Sequence, residues 1–269
     1  MSLPPRLRPR RPVRGIPLRA VLPNALTALA LCSGLSGVRF AIGGEWERAV
    51  GMILLAAVLD GLDGRVARLL QGESRFGAEL DSLSDAISFG VAPALILYLW
   101  SLQYAPRAGW TCALMLAVFC ALRLARFNAQ IDASDQPRKA AGYFTGVPAP
   151  AGAGLALLPL FVWLWSDVGV ARSWWLVAPW TAGVAILMVS SLATYSWRSF
   201  RLRRHVRFEA IAAAVVLAAA FVSAPWQTLT VIAGGYLLTI PFSAAGYARV
   251  RRRAVAGPQR WPAPSTPDA

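Results

Sequence analysis

Four aspartates beside or within apolar segments constrain the fold of this chain more than any other feature. They lie in the stretch LDGLDGRVARLLQGESRFGAELDSLSDAISFG, at Asp60, Asp63, Asp81 and Asp85. Carboxylates are costly inside a bilayer and are usually functional where they occur there. The chain has only 13 acidic residues among 269, so this concentration indicates a site.

Helical spacing can bring these carboxylates together. If residues 52–70 and 79–100 are helices, Asp60 and Asp63 share a face of the first, and Asp81 and Asp85 share a face of the second. Four converging carboxylates would repel one another without cations. Mg²⁺ and Mn²⁺ prefer oxygen ligands, and a pair of such ions needs about this many carboxylates. Helix capping and dipole effects are the alternative, but they explain one or two aspartates, not four.

The residues between the aspartates suit a phosphate. Gly64 follows the second aspartate, and its missing side chain allows a phosphate or nucleotide to approach the backbone. Ala67 is small and lies about one turn further along, and Arg68 offers a bidentate donor for phosphate. The full pattern is DxxDGxxAR, then eight residues, then GxxxDxxxD, which ends in Gly77, Asp81 and Asp85.

This pattern resembles the signature of the CDP-alcohol phosphatidyltransferase family. The resemblance implies that an alcohol takes the phosphatidyl group from CDP-diacylglycerol while CMP leaves. The metal ligands would then be Asp60, Asp63, Asp81 and Asp85, with Asp85 also the candidate base. Residues that would hold or admit the CDP moiety are Gly64, Ala67, Arg68 and Gly77. Asn24 and Thr27 lie near the start of a predicted helix and could be caps or local backbone partners. The resemblance favours the alternative, in which they face the nucleotide phosphates and bind CDP.

Other phrases resemble the branch of this family whose acceptor is L-serine, namely ALRLARFN, FGAELDSLSDAISFGVAPA and GVPAPAGAG. By that resemblance Arg123, Arg126 and Asn128 help to bind the acceptor, and a guanidinium fork fits its carboxylate. The positive-inside rule alone could also place arginines there. Glycerol 3-phosphate, inositol phosphate or another alcohol is the alternative acceptor, and a cation-coupled transporter is the alternative class. The resemblance also implies a homodimer.

Composition indicates a polytopic membrane protein. The chain is 57% hydrophobic and 15% charged, with a mean hydropathy of +0.50, which is unlike a soluble domain. Its net charge of +14 and pI near 11.2 could suggest nucleic acid. However, the arginines cluster at the termini and in connectors between apolar runs, as membrane topology requires, so no nucleic-acid partner is expected. Cys32, Cys112 and Cys120 have no metal-type spacing, and His205 lies in a basic connector.

We therefore predict an all-α bundle with about eight crossings, of which the last two are an addition to a six-helix family core. The predicted spans are 22–42, 49–70, 79–101, 109–128, 149–166, 174–195, 209–224 and 228–248. Residues 1–20 would form a basic cytoplasmic arm, 21–248 the transmembrane domain, and 249–269 a basic, proline-rich cytoplasmic tail. The site would face the cytoplasm of a bacterial-type inner membrane, with both termini on that side. Pro93 predicts a kink.

Overall fold

The computed structural model describes residues 18–72, 74–131, 143–190, 193–195 and 207–256. In this part of the chain the first helices are α1 (Leu18–Ile42), α2 (Trp46–Leu69), α3 (Arg75–Asp85), α4 (Ala92–Trp100) and α5 (Ala108–Ile131). The later ones are α6 (Ala149–Ala156), α7 (Leu158–Ser166), α8 (Trp174–Val189), α9 (Arg207–Ser223) and α10 (Pro225–Ala256). A π-helical turn, Ala86–Val91, joins α3 to α4, and short 3₁₀ turns span Leu102–Tyr104 and Gly169–Arg172.

The described residues are otherwise helical except for one small antiparallel ribbon. Its strands are β1 (Tyr143–Thr145) and β2 (Ala193–Tyr195), and Phe144 pairs with Thr194 at its centre. This ribbon was not predicted, because strands of three residues are too short to show an alternating pattern. The fold class is thus essentially that of a helical membrane protein.

Three described helices are long and apolar enough to cross a bilayer: Val21–Ile42, Arg75–Trp100 and Ala108–Ala129. A fourth crossing is possible if α6 and α7, which meet at an angle of 43°, act as one broken span. The apolar helices Trp174–Val189 and Ile211–Ser223 are shorter than the ~20 residues a spanning helix needs. The described helices therefore support three or four crossings, and the predicted eight are not confirmed.

The kink predicted at Pro93 takes a different form in the structure. Arg75–Trp100 runs as one 26-residue span, and its irregular part is the π-helical turn before Pro93. The sharp bend lies instead between α6 and α7, at Leu157. Pro159 lies two residues after Leu157, in the first turn of α7, and its ring cannot fit the interior of a straight helix.

The structure divides into two compact units, residues 1–96 and 97–269. In the first, α1 packs closely on α2 and on the π-helical turn through small residues. A Cβ added at Gly37 would lie 3.0 Å from the Ala49 carbonyl oxygen, and one at Gly34 would lie 2.6 Å from Ser88 Oγ. Close backbone approach of this kind is a common way for helices to associate in membranes.

The second unit has an apolar and aromatic core. Trp100, Leu116, Leu160 and Met188 are almost completely buried. Trp100 and Trp163 pack with ring centroids 5.9 Å apart, a distance at which aromatic pairs attract.

Some predicted features fall outside the described residues. These are the basic arm up to residue 17, the connector segment 132–142, most of the basic connector 196–208 with His205, and the tail from residue 257. The tail predicted from residue 249 overlaps the end of α10, which continues to Ala256.

Candidate active site

Three of the four aspartates converge in the first unit. Asp60 and Asp63 lie in the C-terminal half of α2, and Asp81 lies in α3. One oxygen from each carboxylate lies within 4.8 Å of the other two. Asp63 is only 5% exposed, and the other two are half-buried. Helical spacing aligns Asp60 with Asp63, and the tertiary structure adds Asp81, so that the three carboxylates could hold one cation.

Asp85 lies one helical turn beyond Asp81 and outside this three-carboxylate cluster. Its side chain interacts with that of Asp60, so it adjoins the cluster from the α3 side. The π-helical turn begins at the next residue, Ala86. Such turns occur often at functional sites.

A hydroxyl group on α1 contacts the cluster directly. Thr27 Oγ1 donates a 2.6 Å hydrogen bond to Asp63 Oδ2. The Thr27 carbonyl oxygen in turn accepts a 3.2 Å bond from Ser84 Oγ on α3. Thus a single residue of α1 is bonded to both aspartate-bearing helices. Sequence reasoning placed Thr27 near the site but did not predict either bond.

A cavity of about 260 Å³ opens beside the cluster. Its lining includes two of the clustered aspartates, Asp63 and Asp81, and five of the predicted CDP-binding residues, Asn24, Thr27, Gly64, Ala67 and Gly77. Arg68 is not part of this lining: it is exposed, and its Nε donates a 2.9 Å bond to the Gly64 carbonyl oxygen.

Gly64 and Gly77 differ in what surrounds them. A Cβ at Gly64 would meet no atom within 4 Å, whereas one at Gly77 would lie 2.8 Å from Asn24 Oδ1 and 3.1 Å from Ser74 Oγ. Gly64 thus leaves space for a ligand, as the sequence suggested. Gly77 instead allows the start of α3 to pack against Asn24.

Four further lining residues were not predicted as site residues: Pro23, Gly72, Ser74 and Ala78. Ser74 is the N-cap of α3, and its hydroxyl accepts a 3.0 Å bond from the Gly77 amide. A serine just before a helix is a recognisable sequence signal for an N-cap. It could have identified the start of α3, although not the cavity.

The donor set fits a divalent cation. Asp81 Oδ1 is buried, and in the described structure it has no hydrogen-bond partner. Among the described residues no ion pair links Asp60, Asp63 or Asp81 to an arginine. Clustered carboxylate oxygens are the ligands that Mg²⁺ and Mn²⁺ prefer. These aspartates thus fit a metal ion better than they fit the alternative role of helix caps.

The residues predicted to bind the acceptor lie in the second unit, on α5. Arg123 and Asn128 are half-buried, and Arg126 is exposed, with its Nη1 3.4 Å from the Val189 carbonyl oxygen. Their function stays a prediction.

The fold and the site together define a helical integral membrane protein with a cluster of three carboxylates, able to hold a metal ion, beside a cavity. Two family models match this chain: CDP-alcohol phosphatidyltransferase over residues 20–188, and CDP-alcohol phosphatidyltransferase 2 over residues 206–241. The chain belongs to the CDP-alcohol phosphatidyltransferase family, and this confirms the family that its motif predicted. That family is one of metal-dependent enzymes, so the transporter alternative loses its support.

Relatives named CDP-diacylglycerol–serine O-phosphatidyltransferase occur in several bacteria. That of Mycobacterium leprae is 40% identical over 241 residues, which cover 90% of this chain and 79% of the relative. That of Mycobacterium tuberculosis is 40% identical over 248 residues, or 92% of this chain and 85% of the relative. That of Bacillus subtilis is 33% identical over 171 residues, or 64% of this chain and 88% of the relative.

Proposed function

We propose that this protein transfers the phosphatidyl group of CDP-diacylglycerol to L-serine, giving phosphatidylserine and CMP. The observation that carries the proposal is the convergence of Asp60, Asp63 and Asp81 beside a cavity, in a chain of this family. The names of the relatives support serine as the acceptor. In this reaction the serine hydroxyl oxygen bonds to the phosphatidyl phosphorus, and the bond from that phosphorus to the CMP oxygen breaks.

We further propose that two divalent cations, Mg²⁺ or Mn²⁺, bind at Asp60, Asp63, Asp81 and Asp85. When bound, such ions neutralise phosphate oxygens and stabilise the attacking and leaving oxygens. The orphaned Asp81 Oδ1 supports this proposal, because a buried acceptor without a partner is costly.

We propose the remaining roles with the positions of the side chains as support. Asp85 adjoins the cluster without being one of its three members, so it is the carboxylate best placed to accept the serine hydroxyl proton. Gly64 and Ala67 leave room for the diphosphate, and Asn24 offers an amide at the same cavity. Arg68, exposed beside Gly64, supplies positive charge near that opening.

For the acceptor, we propose that Arg123, Arg126 and Asn128 bind the serine carboxylate and amino group. The support is the sequence resemblance together with donor chemistry: a guanidinium group pairs well with a carboxylate, and an amide oxygen can accept from an ammonium group.

The proposed setting is a bacterial-type inner membrane crossed eight times, by a six-helix core and two further helices. Residues 1–20 and 249–269 would be cytoplasmic, the site would open to that side, and the protein would be a homodimer. Arginine-rich connectors at alternate ends of the predicted spans support this orientation. Single cysteines introduced at residues 45 and 199 of a cysteine-free variant test it. We expect a membrane-impermeant thiol reagent to label only the first in intact cells.

The reaction itself is tested by CMP release from CDP-diacylglycerol with the purified full chain in detergent. We expect release with L-serine and Mg²⁺ or Mn²⁺, and none after treatment with a chelator. Glycerol 3-phosphate and inositol phosphate are tested in parallel. Faster release with either would reject serine as the acceptor, and release that survives chelation would reject the metal centre.

The proposed base is tested by Asp85→Asn. General base catalysis contributes about 10²- to 10⁴-fold, so turnover should fall at least that far while CDP-diacylglycerol binding stays measurable. Asp167→Asn is the matched control, since Asp167 is an exposed helix C-cap in the second unit. Near-normal turnover of Asp85→Asn would reject the base assignment.

A further inference from the structure

The contacts of Thr27 suggest a role other than holding the nucleotide. Both Thr27 and Asp63 are about 95% buried, with exposed fractions of 4% and 5%. Thr27 Oγ1 lies 2.6 Å from Asp63 Oδ2 and 3.1 Å from the Pro23 carbonyl oxygen. A hydroxyl group has one proton to donate, and the shorter distance is that of a hydroxyl bonded to a carboxylate. The proton is thus directed at Asp63.

This bond fixes one oxygen of the Asp63 carboxylate. With Oδ2 accepting from Thr27, and with the Gly64 amide also bonded to this carboxylate, the carboxylate cannot rotate freely. Metal-ligating groups are commonly oriented by a hydrogen bond of this kind, and the partner is often nearly as important as the ligand.

The main chain of Thr27 adds a second constraint. Its carbonyl oxygen accepts the hydrogen bond from Ser84 Oγ, and Ser84 lies on α3 between Asp81 and Asp85. Ser84 is 4% exposed, so water does not compete for this bond. One residue of α1 therefore orients Asp63 on α2 and, through Ser84, holds α3 between Asp81 and Asp85.

We propose that Thr27 is a positioning residue for the metal centre, acting through Asp63 and, with Ser84, through the placement of α3. The inference rests on the proposed function, in that it assumes a cation at the aspartates. It predicts that loss of the Thr27 hydroxyl weakens cation binding before it affects CDP-diacylglycerol binding.

The test measures Mn²⁺ affinity directly, by titrating the purified full chain with Mn²⁺ alone and following the electron paramagnetic resonance signal of the free ion. Thr27→Val keeps the branched shape and removes the hydroxyl, and we expect it to bind Mn²⁺ about 10- to 100-fold more weakly. Thr27→Ser keeps the hydroxyl and should stay within about threefold of the wild-type chain. Ser84→Ala should give a smaller loss than Thr27→Val.

Two matched controls separate this role from general packing. Ser88 lies one turn beyond Ser84, is 1% exposed, and makes the same kind of bond, to the Ala30 carbonyl oxygen at 3.3 Å. Thr181 in the second unit is fully buried and bonds the Val177 carbonyl oxygen at 2.7 Å. Ser88→Ala and Thr181→Val should leave the Mn²⁺ affinity unchanged.

The outcomes are distinct. If Thr27→Val binds Mn²⁺ as tightly as the wild-type chain, the proposal is overturned. If that variant also has a raised KM for CDP-diacylglycerol, Thr27 holds the nucleotide instead. Equal losses in Thr27→Val and Thr27→Ser, or in Ser88→Ala, also overturn it, because the hydroxyl bond is then not the cause. If the wild-type chain binds Mn²⁺ but releases no CMP with serine, the proposed reaction fails while the role of Thr27 is still decided by the titration.

Discussion

Polar groups serve different purposes in the two compact units. In residues 1–96, buried hydroxyl groups and carboxylates face one another, and the carboxylate of Asp81 keeps an oxygen without a partner among the described residues. In residues 97–269, the half-buried side chains of Arg172 and Trp180 instead donate to backbone carbonyls. Arg172 Nε donates to the Trp100 carbonyl oxygen at 3.0 Å, and Trp180 Nε1 donates to that of Leu155 at 2.8 Å.

The difference separates function from stability. Like charges within 4.8 Å of one another destabilise a fold unless something neutralises them, whereas hydrogen bonds to helix-end carbonyls stabilise it. The clustered carboxylates of the first unit therefore have the chemistry of a binding site, whereas the hydrogen bonds of Arg172 and Trp180 in the second unit stabilise the fold. Each of the following substitutions tests that division.

The largest effect is expected for Asp81→Asn. It removes one of three converging ligands, and since a bound metal supplies several kcal/mol of charge stabilisation, CMP release should fall about a thousandfold or more. In metal-free protein the same change relieves repulsion and adds a donor facing Asp60 and Asp63. The thermal unfolding midpoint without metal should therefore stay the same or rise. A clear fall in that midpoint would contradict the view that repulsion among the three carboxylates destabilises the metal-free first unit.

Arg123→Gln and Arg126→Gln are the strongest test of whether the second unit is only a scaffold. A hydrogen bond to a charged group contributes about 1.5–3 kcal/mol, so loss of a carboxylate partner should raise the KM for serine about 10- to 100-fold. The KM for CDP-diacylglycerol should not change, and Arg107→Gln on an exposed loop residue is the control. An unchanged KM for serine in both variants would show that these arginines do not bind the acceptor and serve only membrane topology.

A smaller effect is expected for Gly64→Ala. No atom lies within 4 Å of the added methyl group, and alanine is favoured over glycine inside a helix by about 1 kcal/mol. The protein should thus become slightly more stable, while the KM for CDP-diacylglycerol rises severalfold because the cavity is narrowed. Gly51→Ala, also in open space on α2, should give the stability without the loss of affinity. Equal KM values for the two variants would show that the nucleotide does not approach Gly64.

The smallest effect on activity is expected for Arg172→Gln. This change removes the bond to the Trp100 carbonyl oxygen and the contact of the guanidinium with the Trp163 ring at 5.6 Å. Stability should fall by about 1.5–3 kcal/mol, seen as a lower thermal unfolding midpoint in detergent. The Mn²⁺ affinity of the folded protein should not change. A loss of Mn²⁺ affinity as large as that of Thr27→Val would show that the two units are not separable in this way.

Much of the site could be read from residue spacing. Aspartates three and four positions apart share a helix face whatever the surrounding fold, so the pairing of Asp60 with Asp63 and of Asp81 with Asp85 needed only helical geometry. Apolar length predicted the spanning helices α1 and α5 to within a few residues at most of their ends.

Other features depend on contacts between distant segments and have no local signal. The π-helical turn after Asp85, against which α1 packs, is one example. Gly77 is another example: it lies against Asn24, which is 53 positions earlier in the chain, so its surroundings could not be predicted from local sequence.

The sequence by itself determined that this is a membrane protein with four carboxylates on two helix faces, since apolar length and helical period are properties of the chain alone. Only the tertiary structure decided that Asp60, Asp63 and Asp81 form the close group, that Asp85 stands beside it, and that Thr27 bonds Asp63 across 36 positions. The physical reason is that distances between helices are set by side-chain packing, and small residues such as Gly34 and Gly37 let α1 approach closely enough for one hydroxyl to reach the site.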